Sequence, residues 1–196
     1  VEELRTFFPG PDNTWVVVKT IGEAPSADLY IDLDFEPSRA GELGRLLPMP
    51  IFVNAVIPTL EEIGRPFVRI NGWPGFLNRP VHELTVKDAS LAEKLPALYE
   101  KLGCSYRIVP DTPGMISSRI LATIINEAYY TWEEAVSSQE EIDIAMKLGT
   151  NYPTGPFEWA QQIGLKRVTK LLNALSKTND RYTPAASLVK AAAIKI

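Results

Sequence analysis

The longest regular pattern of apolar and polar positions covers residues 111–135, DTPGMISSRILATIINEAYYTWEEA. Asp-Thr-Pro-Gly closes what precedes it, and a helix of about twenty residues without an internal breaker follows. Turned at 100° per residue, Ile116, Ile120, Leu121, Ile124, Ile125, Ala128, Tyr129 and Trp132 fall on one arc of more than half the circumference. Arg119, Thr123, Asn126, Glu127, Tyr130, Glu133 and Glu134 share the remainder. A solvent-facing helix needs an apolar stripe of only about 100°. The pattern therefore predicts the central helix of a helical unit, or a helix in a subunit interface.

Upstream the period shortens. VEELRTFF predicts a short helix ended by Pro-Gly-Pro, and TWVVVK at 14–19 predicts a strand. In ADLYIDLDFE at 27–36, Leu29, Ile31, Leu33 and Phe35 alternate with Tyr30, Asp32 and Asp34, a strand by period two. PIFVNAV at 50–56 is an apolar run bounded by proline, followed by a helical turn, TLEEIG, and a strand, RPFVRI, at 65–70. GWPGFLNRP at 72–80 reads as a loop, HELTV as a strand, residues 90–103 as a helix stopped by Gly103, and SYRIVP as a last strand. Short strands separated by short helical pieces predict an α/β layer with a mainly parallel sheet. Beyond residue 110 the β-rich runs stop. Ser138 and Glu141 form a capping box, Pro156 suits a first helical turn, and two more amphipathic or small-residue helices close the chain. The reading is α/β followed by all-α, with domains at 1–110 and 111–196.

Composition narrows the function classes. The chain has 196 residues, 45% apolar and 22% charged, with 20 basic and 24 acidic residues and a net charge of −4. No basic cluster supports nucleic-acid binding. No apolar run approaches membrane-spanning length and no signal peptide is visible, so the expectation is a cytoplasmic protein. The chain opens with Val1 rather than Met, which leaves an upstream segment open. One cysteine, Cys104, and one histidine, His82, leave no basis for a disulfide or a Cys/His metal site. Cys104 lies between apolar neighbours and reads as an inert buried thiol.

The spaced segments DTPGMISSRILATIINEAYY, EEIDIAMKLGTNYPTGPFEWAQQIGL and RYTPAASLVK together resemble the C-terminal helical domain of the 3-hydroxyacyl-CoA dehydrogenases. Upstream, ADLYIDLDFE is similar to that family's strand A-D-L-V-I-E-A-V-F-E. PIFVNAVIPTLEEI is similar to the next strand and its serine-rich loop, and GWPGFLNRPVHEL to the segment bearing H-F-F-N-P. The resemblance implies a reduced Rossmann-like sheet domain followed by the helical domain. In the family, the first binds NAD, the second makes a dimer, and a hydroxyacyl-CoA lies between them.

The positions that would carry chemistry read differently. No G-x-G-x-x-G occurs in the chain, although a dinucleotide needs such a turn to bring its pyrophosphate to helix amides. By resemblance the general base falls at Gly75, which has no side chain. The glutamate partnering it falls at Glu83, or at Thr85 in another register. Ser118 stands where the family has asparagine before the arginine of the central helix, and the family's serine falls near Asn54. His82 reads as a strand-edge or surface histidine, or as a relocated base. Its neighbour Glu83 would point to the opposite face of a strand and could not orient it. Asp32 and Asp34 point the same way, as a solvated strand end or a carboxylate pair. Trp73 reads as a core or lid aromatic, or as a platform for a flat ligand.

Glu83, Ser118 and His82 are thus the candidates for catalysis, and a cleft between the halves is expected to be rimmed by Trp73, Asn78, Ser118 and Asn126. The expected function is a dehydrogenase-like protein lacking dehydrogenase activity, a homodimer through its helical half that binds a ligand, with an acyl-CoA held weakly, or serves a structural role. No cofactor and no metal are expected. The alternative is an active NAD-dependent 3-hydroxyacyl-CoA dehydrogenase whose first strand and glycine turn lie outside this chain. A third reading is a subunit completed by a separate nucleotide-binding chain.

Overall fold

The computed structural model describes residues 13–194, in two compact units divided between Met115 and Ile116. The helix expected in VEELRTFF lies outside the described residues. The first unit holds a five-stranded sheet in the order β1 (Tyr30–Asp32), β2 (Ile51–Asn54), β3 (Val68–Ile70), β4 (Val81–Thr85) and β5 (Ser105–Ile108). β1, β2 and β3 run parallel, β4 is antiparallel to β3, and β5 is parallel to β4. The sheet is mainly parallel, as the pattern predicted, with one antiparallel pairing, that of β3 with β4. The physical reason for that reversal is the connection at 71–80, because a parallel return needs a crossover of a dozen or more residues.

β2 and β3 are buried on both faces, which is why they read as unbroken apolar runs. One face packs Val53, Phe67, Leu43 and Ile63 under the short helices α1 (Ala40–Leu43) and α2 (Leu60–Ile63). Thr59 and Glu62 close the start of α2 reciprocally, and Gly64 ends it in the left-handed region at φ 65°. The other face packs Phe52, Val68, Ile70 and Leu84 under α3 (Ala89–Leu102). Helix α3 turns Leu91, Leu95, Tyr99 and Leu102 inward at helical spacing, starts on the Asp88 carboxylate and stops at Gly103.

TWVVVK is not a strand. Trp15 packs on the core, but Val16 and Val17 are 61% and 60% exposed, and β propensity without a neighbouring strand to pair does not make a sheet.

The second unit contains α4 (Ser117–Glu133), α5 (Gln139–Gly149), α6 (Pro156–Ile163), α7 (Leu165–Ser176) and α8 (Ala186–Ala193). Helix α4 packs against the other four and is the central helix the pattern predicted. Its buried face is rotated from the expected arc. Ser118, Ala122, Ile125, Asn126, Ala128 and Tyr129 are buried, whereas Ile116, Ile120 and Trp132 are exposed. Asn126 can enter because its amide is hydrogen-bonded inside, which apolarity alone does not reveal. No described helix is long and apolar enough to cross a membrane.

Candidate active site

The carboxyl ends of β1, β2 and β3 lie together at one edge of the parallel part of the sheet, where open α/β sheets place their ligands. Asn54 ends β2 and latches its neighbours there. Its Nδ2 donates to Leu33 O at 3.0 Å and Gly72 O at 3.3 Å, and its Oδ1 accepts from Gly72 N at 2.9 Å. The fit is close enough that a Cβ on Gly72 would stand 2.7 Å from Asn54 Cγ. Glycine at 72 is therefore a steric requirement of this latch.

Between that latch and β3 sits Asn71, only 6% exposed. Its Oδ1 accepts from Trp73 N at 3.3 Å, whereas its Nδ2 has no hydrogen-bond partner among the described residues. An unsatisfied buried amide costs about 1–3 kcal/mol. At the end of β1, Asp32 Oδ1 accepts from Asp34 N at 3.0 Å. Asp32 Oδ2 lies 3.5 Å from Arg39 Nη1 but makes no hydrogen bond among the described residues. Burial pushes the Asp32 carboxyl above its ordinary range, opposed by the Arg39 charge. Asp32 and Asp34 thus form a strand-end turn, with Asp34 exposed.

Beneath this edge lies a buried ionic network. Arg69, fully buried on β3, donates to Ala55 O at 2.8 Å, Val56 O at 3.1 Å and Thr112 O at 3.3 Å, and forms a short ion pair with Asp111. Asp111 also accepts from Leu60 N and meets Lys87 Nζ at 2.9 Å. Burial alone would raise the Asp111 carboxyl, but the bonds from Leu60, Lys87 and Arg69 hold it below the usual range. The network fixes the segments following β2 and β5 to β3.

The sequence candidates fall into place one by one. Gly75 lies within the 71–80 loop at φ 82°, five residues beyond the last residue of β3. Trp73 is buried, ruling out an exposed platform, while Asn78 of the same loop is exposed. His82 is neither at a sheet edge nor on the surface. It is buried on β4 between β3 and β5, with Nε2 3.1 Å from Leu77 O and its ring edge-on to Tyr99 at 5.9 Å. Burial lowers its pKa from the ordinary 6.5, partly opposed by the Leu77 carbonyl. Glu83 is half-buried on β4, opposite Arg107 of β5 in register, and Thr85 is buried with its hydroxyl 3.4 Å from Val109 O. Cys104 is half-buried and its thiol is pushed up to about 11 by burial.

In the helical unit, Ser118 and Asn126 lie two turns apart on the buried face of α4. Asn126 donates to Thr183 O and accepts from Ala185 N, both at 2.8 Å, so its amide is committed to the approach to α8. Ser118 is wholly buried and its Oγ has no partner among the described residues. The described residues contain no group of three or more His, Cys, Asp or Glu able to hold a metal ion. Asn71 and Arg69 were not anticipated as site residues. The one sequence signal for Asn71 is the Asn-Gly pair directly after an apolar run, which otherwise reads as an ordinary turn.

A family model described as the 3-hydroxyacyl-CoA dehydrogenase C-terminal domain matches residues 114–194. Residues 114–194 thus form a C-terminal domain of the 3-hydroxyacyl-CoA dehydrogenase family. The 3-hydroxyadipyl-CoA dehydrogenase of Escherichia coli is 34% identical over 129 residues, covering 65% of this chain and 27% of that protein. The 3-hydroxybutyryl-CoA dehydrogenase of Bradyrhizobium diazoefficiens is 42% identical over 92 residues, 46% of this chain and 31% of that one. Among solved structures, the (S)-3-hydroxybutyryl-CoA dehydrogenase of Ralstonia eutropha superposes with a TM-score of 0.70 at 25% identity, covering 83% of this chain and 64% of that chain. The matched stretches thus amount to about a third or less of the two curated relatives.

These comparisons overturn the expectation of a non-catalytic ligand-binding or structural dehydrogenase-like protein. The relatives are named as dehydrogenases, and the likeness extends over both units. That expectation leaned on the missing glycine turn, a feature a partial span of the family does not have to contain, and on Gly75 at the base position, a placement that only the resemblance supplied. For NAD, the described residues offer the carboxyl ends of β1–β3. Among them no glycine-rich turn leads from a strand into a helix, so the pyrophosphate cradle is not within them.

Proposed function

We propose that this chain is part of an NAD-dependent 3-hydroxyacyl-CoA dehydrogenase, with the strand and glycine turn that cradle the dinucleotide lying outside these 196 residues. The observation that carries the reading is the match to dehydrogenases through the helical unit together with the fold likeness over 83% of the chain. An acyl-CoA is the ligand class, and the assembly is a homodimer through the helical half. Ile116 at the N-cap of α4 and Ile120 in its first turn, 48% and 55% exposed, support that surface, because burying them removes apolar area from water.

The test uses the full natural protein. Its coding sequence is expected to contain a strand leading into G-x-G-x-x-G. The purified protein should consume NADH with acetoacetyl-CoA, followed at 340 nm, and light scattering should give twice the chain mass. No turnover at saturating acetoacetyl-CoA would overturn the enzymatic reading, and a single-chain mass would overturn the dimer.

A further inference from the structure

Within the first unit, three buried side-chain atoms lack a hydrogen bond among the described residues: Asp32 Oδ2, Asn71 Nδ2 and Tyr99 OH. Two of them stand at the carboxyl end of the parallel strands. Asp32 pairs in register with Val53, and Val53 with Arg69. Asn71 lies two residues beyond Arg69, so strand alternation puts it on the Asp32 face. Two strand spacings, roughly 10 Å, separate them, so they do not share one ligand atom.

Asn71 is also held in place. Its Oδ1 is committed to Trp73 N, which fixes the amide so that the free group is the donor, and Asn54 clamps the next residue from both its N–H and its C=O. A fixed, desolvated donor aimed at no protein acceptor suits a ligand oxygen on which negative charge develops.

We infer that the Asn71 side-chain amide is a hydrogen-bond donor to the 3-oxygen of the acyl-CoA, polarising it as ketone and hydroxyl interconvert. This rests on the dehydrogenase reading above. Asn71 donates a hydrogen bond and transfers no proton. Its contribution grows with charge on the oxygen and so falls on kcat more than on KM.

Asn71→Asp in the full natural protein keeps the shape and the acceptor for Trp73 N while replacing the donor with an acceptor. The expected result is a fall in kcat of about 100-fold or more, with KM for acetoacetyl-CoA changed by a few-fold at most. Asn71→Ser, which retains a short donor, should exceed Asn71→Ala in kcat. Calorimetry without NADH supplies a readout independent of turnover: acetoacetyl-CoA should bind Asn71→Asp more weakly than wild type, while butyryl-CoA, which has no 3-oxygen, should bind both alike. If Asn71→Asp does not fold, the Ser and Ala pair and the same calorimetry on Asn71→Ala decide. Active wild type with kcat unchanged in the variants overturns the assignment alone. A loss shared equally by kcat, KM and butyryl-CoA binding marks a structural residue and overturns it too. Inactive wild type overturns the dehydrogenase reading and this assignment with it.

Discussion

The sheet unit and the helical unit both bury polar side chains, but they use them differently. In the helical unit Asp143 is buried on α5, and its two oxygens accept from Phe157 N at 2.8 Å and Glu158 N at 3.1 Å, capping α6 from outside its own sequence. Gly155 precedes α6 and cannot cap it with a side chain, so the neighbouring helix supplies the cap. Asn126 does the same for the approach to α8. These groups are saturated, and their work is architecture. In the sheet unit Arg69 is equally saturated, while Asp32 and Asn71 at the strand ends are not. The difference teaches that burial by itself does not separate scaffold from site. The tally of unfilled hydrogen bonds narrows the search without settling it, because among the described residues the buried hydroxyls of Tyr99 and Ser118 are unfilled too.

The largest expected effect tests saturation in the sheet unit. Arg69→Met takes the guanidinium from the partly buried Asp111 and leaves three backbone carbonyls without their donor. Denaturant unfolding should show a loss of about 3–5 kcal/mol. A loss below about 1 kcal/mol would mean the network is ornamental.

The helical counterpart is smaller. Asp143→Ala removes two charge-assisted bonds and should cost about 1–3 kcal/mol. A Cβ on Gly155 would meet Asp143 Cγ at 2.3 Å, so Gly155→Ala should also destabilise. Once Asp143 is already Ala, the same Gly155→Ala change should cost clearly less, a coupling read from a double-mutant cycle. Strict additivity would show that the two residues do not share this contact.

The smallest effect is a pH dependence in the sheet unit. Because the folded-state pKa of His82 lies below the ordinary 6.5, the unfolded chain binds the extra proton first as pH falls. The His82 contribution is fully present above about pH 6.5 and is lost as pH drops below it towards the folded-state value. His82→Gln should flatten the slope of unfolding free energy against pH in that window. An unchanged slope would place the titration on another group.

Local chemistry carried much of the fold into the sequence. The Ser138–Glu141 capping box, Gly103 as the stop of α3 and Pro156 at the start of α6 are all where the residues predicted them. Each depends on neighbours within a turn or two, so a linear reading suffices. The spaced motifs of the helical half were legible for the same reason and led to the right family.

Other features depended on residues far away in the chain. β4 reverses because of a short connection, and the valines after Trp15 stay exposed for want of a strand to pair. The face of α4 that turns inward was decided by hydrogen bonds from Asn126 to the approach to α8, more than fifty residues on. His82 became a core residue only because β3, β5 and α3 enclose it. Periodicity and capping are short-range preferences of the backbone, written directly in residue order. Burial and hydrogen-bond saturation are properties of the assembled chain, and for that reason the open donor of Asn71 could be found only in three dimensions.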